Sequence, residues 1–342
     1  MRPCISAAVL AILATPAFAA PGSVVADMPA TGSLVQQVLG DLGEVRVLLP
    51  DGASVHHYQM RPSDAQALQS AGLLVWVGPS LTPWLARAAG NLNASASQLA
   101  LLEVAGTHLQ DYAEDGHAHG DDHGHGHDHD HDHAHSHDHD HDHDHDHDHD
   151  HDHDHDHAQA DGAHDHSHSG TDPHAWLDPQ NAQLWLAAIA EALAAEDPEN
   201  AETYRANAEA AASRISAAEE ELRAQLAPHA EDRFVVFHDA YGYFTNRFGL
   251  APAIPVALGD ASTPSAARIE QIRTEIVSSG AICAFPEYAH DEALVATVIE
   301  GSDVRLGEAI DPQGSMQGAG ADQYEAMLRA MGDTIAACLS AE

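Results

Sequence analysis

Between His117 and His168 the chain holds 23 histidines, most of them alternating strictly with aspartate, and almost nothing apolar. From Asp111 to Asp172 it also holds 21 acidic residues and no base. Such a run cannot bury enough apolar surface to offset the entropy of ordering it. Residues 113–170 are therefore predicted to be disordered when metal-free, and any folded core must come from the sequence on either side. The same run points to a ligand class, because imidazole and carboxylate side chains bind divalent cations. At three histidines per ion it offers no more than about seven sites. Each should be weak, since binding must order the segment. Of the 54 acidic residues, 33 lie outside it, against 13 bases that are all arginine, and the net charge is −41. That balance excludes nucleic acid and anionic membrane surfaces as partners, because both require basic patches.

The N-terminus sets the compartment. Met1-Arg2, the apolar run from Ile5 to Leu13 and Ala17-Phe18-Ala19 together read as a secretory signal peptide over 1–19. The apolar run is shorter than the roughly 20 residues that span a bilayer. Cys4 precedes it, so it is not a lipid-attachment cysteine at the cleavage site. No later stretch is apolar enough to span, so the mature chain is expected to be exported and not embedded in a membrane. Its two cysteines, Cys283 and Cys338, form an even pair and read as a disulfide.

The rest alternates strand and helix signals, as an α/β protein does. Strands are predicted at Val24–Ala26, Val45–Leu49 and Leu73–Val77, with helices over Thr31–Leu39 and Asp64–Gln69, the latter capped by Ser63. After the histidine-rich segment, Asp178-Pro179 is a cap and first-turn pair opening a helix through Ala195. Asp197-Pro198 repeats the signal before about 29 residues without a breaker, a helix of roughly 43 Å. Tyr204, Ala208, Ala211, Ile215, Ala218, Leu222 and Leu226 mark one face of it. Strands then follow at Phe234–Phe237, Ile254–Ala257, Ile282–Phe285 and Val304–Ile310. Helices are predicted at Ala240–Phe248, Ser265–Ser278, Asp291–Ile299 and Gln323–Leu339. These divide into an N-terminal lobe at 20–196, a linker helix at 197–227 and a C-terminal lobe at 228–342.

Three histidines stand where a strand or loop hands over to a helix: His56, His174 and His238. Ligands of open α/β sheets bind beyond the carboxyl ends of the strands, and three imidazoles there suit Zn²⁺. No pair has the i, i+4 spacing of a helix-borne zinc motif. By spacing alone the three are as readily structural as ligating. His57 adjoins His56 and should point elsewhere, and His108, His229 and His290 read as surface residues. Glu287 follows a strand and reads as a satisfied polar residue. Asp239 reads as the cap of the next helix.

Several ordered pieces nevertheless resemble one family. They are His56-His57-Tyr58 with Arg61-Pro62-Ser63-Asp64, Val75-Trp76-Val77-Gly78-Pro79, and Asp172-Pro173-His174-Ala175-Trp176-Leu177-Asp178-Pro179. Further on come Phe237-His238-Asp239-Ala240-Tyr241-Gly242-Tyr243-Phe244, Arg268-Ile269 with Ile272-Arg273, and Asp311-Pro312. The chain resembles the periplasmic zinc-binding proteins of bacterial ABC importers, the ZnuA type of metal-binding solute-binding protein. The resemblance covers nearly the whole mature chain, and the histidine-rich insert sits where the family often carries one. It implies two α/β lobes, each a mainly parallel sheet flanked by helices, joined by one long helix with a metal in the cleft. It implies His56, His174 and His238 as ligands, Cys283–Cys338 as a disulfide, and an inner-membrane permease as the partner of a monomeric zinc carrier without enzymatic activity. Some members place a glutamate before the first ligand, where this chain has Val55. Others use an acid of the second lobe, which falls on Asp311. The fourth position is thus water or Asp311. The rival readings are a manganese or iron carrier of the same fold, whose cleft would need more carboxylates, and a zinc-dependent hydrolase, for which no H-E-x-x-H arrangement is present.

Overall fold

The computed structural model describes residues 23–92, 97–112 and 170–341. The signal segment 1–19 with Cys4, and the histidine-rich segment up to residue 169, lie outside the described residues. In chain order the elements are β1 (Ser23–Ala26), α1 (Pro29–Leu39), β2 (Val45–Val47), α2 (Pro62–Ser70), β3 (Ala71–Trp76), α3 (Pro83–Leu92) and β4 (Ser97–Ala100). Then come α4 (Pro179–Glu196), α5 (Ala201–Leu226), β5 (Phe234–His238), α6 (Gly242–Phe248), β6 (Ile254–Ala257) and α7 (Ala266–Ser279). Last are β7 (Cys283–Phe285), α8 (Glu292–Ile299), β8 (Arg305–Leu306) and α9 (Gln323–Leu339).

The strands form two four-stranded parallel sheets, β2-β1-β3-β4 and β6-β5-β7-β8, one per lobe and with the same order. In each, the chain reverses direction across the sheet beside its first strand, so the crevice between β5 and β7 is a switch point where ligands of parallel sheets bind. The period of two along a strand decides which face each residue joins. Phe234 and Val236 of β5, and Cys283 and Phe285 of β7, enter the main core, whereas Val235, Phe237 and Ala284 enter a smaller core under α7 and α8. Carrying that alternation forward puts His238 and Glu287 on the main-core side.

The main core is continuous across both lobes. It joins Val24, Leu34 and Val75 of the first lobe to Phe234, Phe285 and Tyr324 of the second through Trp176, Trp185, Tyr204, Ile215 and Leu222. All seven residues expected on the inner face of the long helix are buried. Fully burying a leucine, isoleucine or large aromatic contributes roughly 1.5–3 kcal/mol, so this face alone ties α5 firmly to its neighbours. Polar bonds cross between lobes as well. Trp176 Nε1 donates to the Pro312 carbonyl at 2.7 Å, Tyr324 Oη to the Trp176 carbonyl at 2.6 Å, and the Tyr324 amide to Ser33 Oγ at 3.0 Å. Cys283 and Cys338 are bonded, tying β7 to α9 across 55 residues of sequence. Closing a ring of that size contributes roughly 4 kcal/mol by limiting the unfolded chain.

Several sequence expectations are corrected. The long helix starts at Ala201, because Pro198–Asn200 forms a 3-10 turn first. Ser63 does not cap α2. Pro62 occupies its first turn and the Asp64 carboxylate accepts the Arg61 amide at 2.9 Å. Asp239 does not cap α6, which begins later, behind Tyr241. The last strand shrinks to Arg305–Leu306, continued only by a bridge between Glu287 and Ile310. Helix α3 and strand β4 carry no expectation from the sequence. Pro83 in the first turn of α3 was the available signal.

Candidate metal centre

His56, His174 and His238 converge from three parts of the chain. His238 is the last residue of β5, one position further into the strand than its sequence suggests. His174 follows the strand-like Thr171-Asp172 and precedes the short turn that leads to α4. His56 sits in a turn after β2, closed by the His57 amide donating to the Ser54 carbonyl at 3.3 Å. Its neighbour Val55 is pinned twice. The Val55 carbonyl accepts from Trp84 Nε1 at 2.9 Å, and its amide donates to Gln313 Oε1 at 3.2 Å.

The Nε2 atom of His174 lies 3.3 Å from that of His56 and 3.3 Å from that of His238. The three ligand atoms all lie within 4.8 Å of one another. Two nitrogens bound tetrahedrally to one zinc ion stand about 3.3 Å apart, given bonds of about 2.0–2.1 Å. His174 and His238 are buried and His56 is half-buried. Such a cluster of lone pairs suits a cation and disfavours simultaneous protonation.

Two carboxylates set the ring orientations. Asp172 Oδ1 lies 2.6 Å from His174 Nδ1 and also accepts the His174 amide at 2.9 Å. Glu287 Oε2 lies 2.7 Å from His238 Nδ1 and accepts from the Tyr241 hydroxyl at 2.8 Å. A neutral imidazole that gives its Nδ1 proton to a carboxylate keeps its Nε2 lone pair for a metal. Burial, followed by the neighbouring imidazoles, holds His56 well below the ordinary imidazole range, and burial together with His238 does the same to His174. Burial would lower His238 too, but the carboxylates of Glu287, first, and of Asp239 and Asp172 together outweigh it and raise its pKa. Burial pushes the Asp172 carboxyl up to about 7. It would also raise Glu287, but His238 and His290 hold Glu287 below its usual value.

The structure does not bring Asp311 into the three-histidine group among the described residues. Its Oδ1 accepts the amides of Gln313 and Gly314 at 3.0 Å each, and its Oδ2 accepts that of Met316 at 2.5 Å. It shapes the loop that carries Gln313, whose side chain holds Val55 beside His56. Glu287, read as a satisfied polar residue, is the orienting partner of His238. Asp172 stood inside a quoted motif without a role. An acid two residues before a candidate ligand was its visible signal. Glu287 had none until β5 and β7 became neighbours. His57 is exposed, and His108 is a surface residue bonded to Asp178 at 3.0 Å. His290 and His229 are not surface residues, because each side chain is only 11% exposed. His290 packs on Phe237, and His229 lies 2.8 Å from Asp232 and 3.0 Å from Ser340 Oγ.

The described residues on either side of the histidine-rich segment pair with one another beside this group. Asp111 and Thr171 form an antiparallel bridge, the Tyr112 amide donates to the Gly170 carbonyl at 3.2 Å, and that of Asp172 to Gln110 at 2.9 Å. The Tyr112 ring stands 6.5 Å from that of His174. The ring also lies against Gly259, where a Cβ would come within 2.3 Å of it. No helix among the described residues is long and apolar enough to cross a membrane.

Two parallel-sheet lobes on a shared core, with an imidazole cluster at the switch point, define the class of two-lobe metal-binding solute-binding proteins. The fold agrees with a solved crystal structure of ZnuA, at TM-score 0.69 and 23% identity over 94% of this chain and 100% of that one. It agrees equally with the manganese-bound periplasmic metal-binding protein of Candidatus Liberibacter asiaticus, at TM-score 0.68 and 19% identity over 93% and 99%. Residues 24–338 match the ZnuA family, the periplasmic component A of the zinc-uptake complex, and the chain belongs to that family. The high-affinity zinc uptake system protein ZnuA of Paracoccus denitrificans is 58% identical over 336 residues, 98% of this chain and 97% of that protein.

Proposed function

We propose that this chain captures Zn²⁺ in the periplasm, through His56, His174 and His238, and delivers it to the inner-membrane permease of an ABC zinc importer. The observation that carries the reading is the convergence of three Nε2 atoms, two of whose separations equal the edge of a zinc tetrahedron. An all-imidazole set favours zinc over manganese, which prefers carboxylate oxygen. Asp172 and Glu287 are engaged in orienting rings, which supports a carrier over a hydrolase needing a free general base. Residues 1–19 act as the export signal, and the lobes at 20–196 and 228–342 are joined by the linker at 197–227, most of it the α5 helix. The carrier works as a monomer. Its histidine-rich segment is an auxiliary scavenger that raises zinc near the cleft by tethering, aided by the chain's negative field.

Native mass spectrometry of the full chain and of a variant lacking residues 117–168 tests this reading. The full chain is expected to take one tight zinc and several weaker ones, and the deletion variant one tight zinc alone. A tenfold excess of Mn²⁺ should displace neither tight ion. Loss of the tight ion with the segment, or its displacement by Mn²⁺, would refute the assignment.

The fourth ligand position is assigned to water. Asp311 spends three of its roughly four acceptor sites on backbone amides of its own loop, and among the described residues it does not join the three-histidine group. We assign it instead to positioning His56 through Gln313 and Val55. Asp311→Ala should weaken zinc roughly tenfold, in the range of residues that orient ligands, and Gln313→Ala should weaken it similarly. A silent Gln313→Ala beside a damaging Asp311→Ala would return Asp311 to the metal.

A further inference from the structure

The turn after β7 holds two polar atoms that the described residues leave unsatisfied. Glu287 commits Oε2 to His238 Nδ1 and the Tyr241 hydroxyl. Its Oε1 is buried without a hydrogen-bond partner, and so is Nε2 of His290. The two atoms face each other at 3.6 Å. An unmade bond between a buried donor and a buried acceptor forfeits the solvation of both, so a contact a few tenths of an ångström from closing is the economical way to satisfy them.

Three features hold the His290 ring in this place. It stacks on Phe237 with centroids 4.3 Å apart and planes inclined by 30°. Its amide donates to the Glu287 carbonyl at 3.2 Å, closing the turn. Between them Ala289 takes φ +69°, a left-handed conformation that a Cβ disfavours. Strain of this kind persists where the surrounding structure demands one position.

We propose that His290 is a positioning residue for the metal centre, donating from Nε2 to Glu287 Oε1 and so locking the carboxylate whose other oxygen orients His238. Without that donor the carboxylate can turn about its terminal bond and release His238 Nδ1. The consequence reaches the metal through two bonds, from His290 to Glu287 and from Glu287 to His238. This inference rests on the three-histidine reading of the site.

Two variants of the full chain separate donor from packing. His290→Phe keeps a ring on Phe237 and removes the donor, and His290→Gln keeps a donor. Zinc affinity is measured by competition with a chromophoric chelator, and the His238 tautomer by long-range ¹H–¹⁵N NMR. His290→Phe is expected to weaken zinc about tenfold, as loss of a ligand-orienting partner does, with the Nδ1–H form of His238 no longer uniquely populated. His290→Gln should return affinity to within about threefold of wild type and restore that tautomer. The proposal is overturned if His290→Phe binds zinc as wild type does, or if both variants lose affinity equally. His174→Ala serves as the control. If it too binds normally, the three-histidine site itself is wrong, whereas its loss beside a silent His290→Phe sinks only the role of His290.

Discussion

Calorimetric titration of His56→Ala, His174→Ala and His238→Ala is expected to lose the tight zinc event in each variant, while His108→Ala titrates as wild type. Structural zinc sites contribute roughly 10–16 kcal/mol over four ligands, or about 2.5–4 kcal/mol per ligand, which is roughly two to three orders of magnitude in Kd. The three variants should differ in their side effects. His56 is half-buried and its turn is held by Val55, whose two bonds use backbone atoms. His56→Ala should therefore melt close to wild type. His174 and His238 each bond a buried carboxylate, Asp172 and Glu287. Removing either ring takes one bond from that carboxylate, which keeps the His174 amide on Asp172 or the Tyr241 hydroxyl on Glu287. A hydrogen bond to a charged group is worth about 1.5–3 kcal/mol, so the melting temperature should fall. His56→Ala is thus the cleanest measure of ligation. Unchanged zinc affinity in that variant would remove His56 from the site.

The same asymmetry shows how far the sequence can be read. The choice of His56, His174 and His238 over the other histidines, and the two-lobe arrangement, came from the resemblance to the family. The alternation of strands and helices was legible, because strand periodicity and caps are local signals. The buried face of α5 was legible for the same reason, as seven positions at helical spacing. What the sequence did not show depends on which strands become neighbours. Glu287 lies 49 residues beyond His238 and gains meaning only because β7 pairs with β5 at the switch point. His290 looked like a surface residue because nothing local announces that a left-handed Ala289 turns it back onto Phe237. Asp311 was one of two candidates for the fourth position, beside water, because the resemblance to the family places an acid of the second lobe there. Its three backbone bonds are a property of the loop's path. Helix α3 was missed because Gly90 and Asn91 dilute its apolar pattern, although Pro83 marks its start.

Zinc affinity is expected to fall as pH falls, with a slope of about one proton per ion and not three. Ligation requires a free lone pair on each Nε2, so a proton on any ring competes with the metal. His56 and His174 are held well below 6.5 by burial and by their neighbouring imidazoles. They carry no proton to displace near neutrality. His238 is the exception, because Glu287, with Asp239 and Asp172, outweighs burial and raises it above 6.5. The competition therefore sets in above pH 6.5, and below the raised pKa the affinity should drop about tenfold per pH unit. The metal-free fold responds with the opposite sign at this group. A raised His238 stabilises it fully below 6.5, and that contribution is lost as pH climbs through the folded pKa. Titration in buffers of different ionisation enthalpy counts the protons released, and Glu287→Gln separates charge from geometry. Its amide oxygen can still accept from His238 Nδ1, but with the largest opposing charge gone burial should lower His238, although Asp239 and Asp172 still raise it. The pH dependence between 8 and about 6.5 should then flatten, even though the affinity at pH 8 is itself reduced. A wild-type slope near three would mean that all three imidazoles are protonated in the metal-free protein, and an unchanged slope in Glu287→Gln would show that the carboxylate does not control the proton on His238.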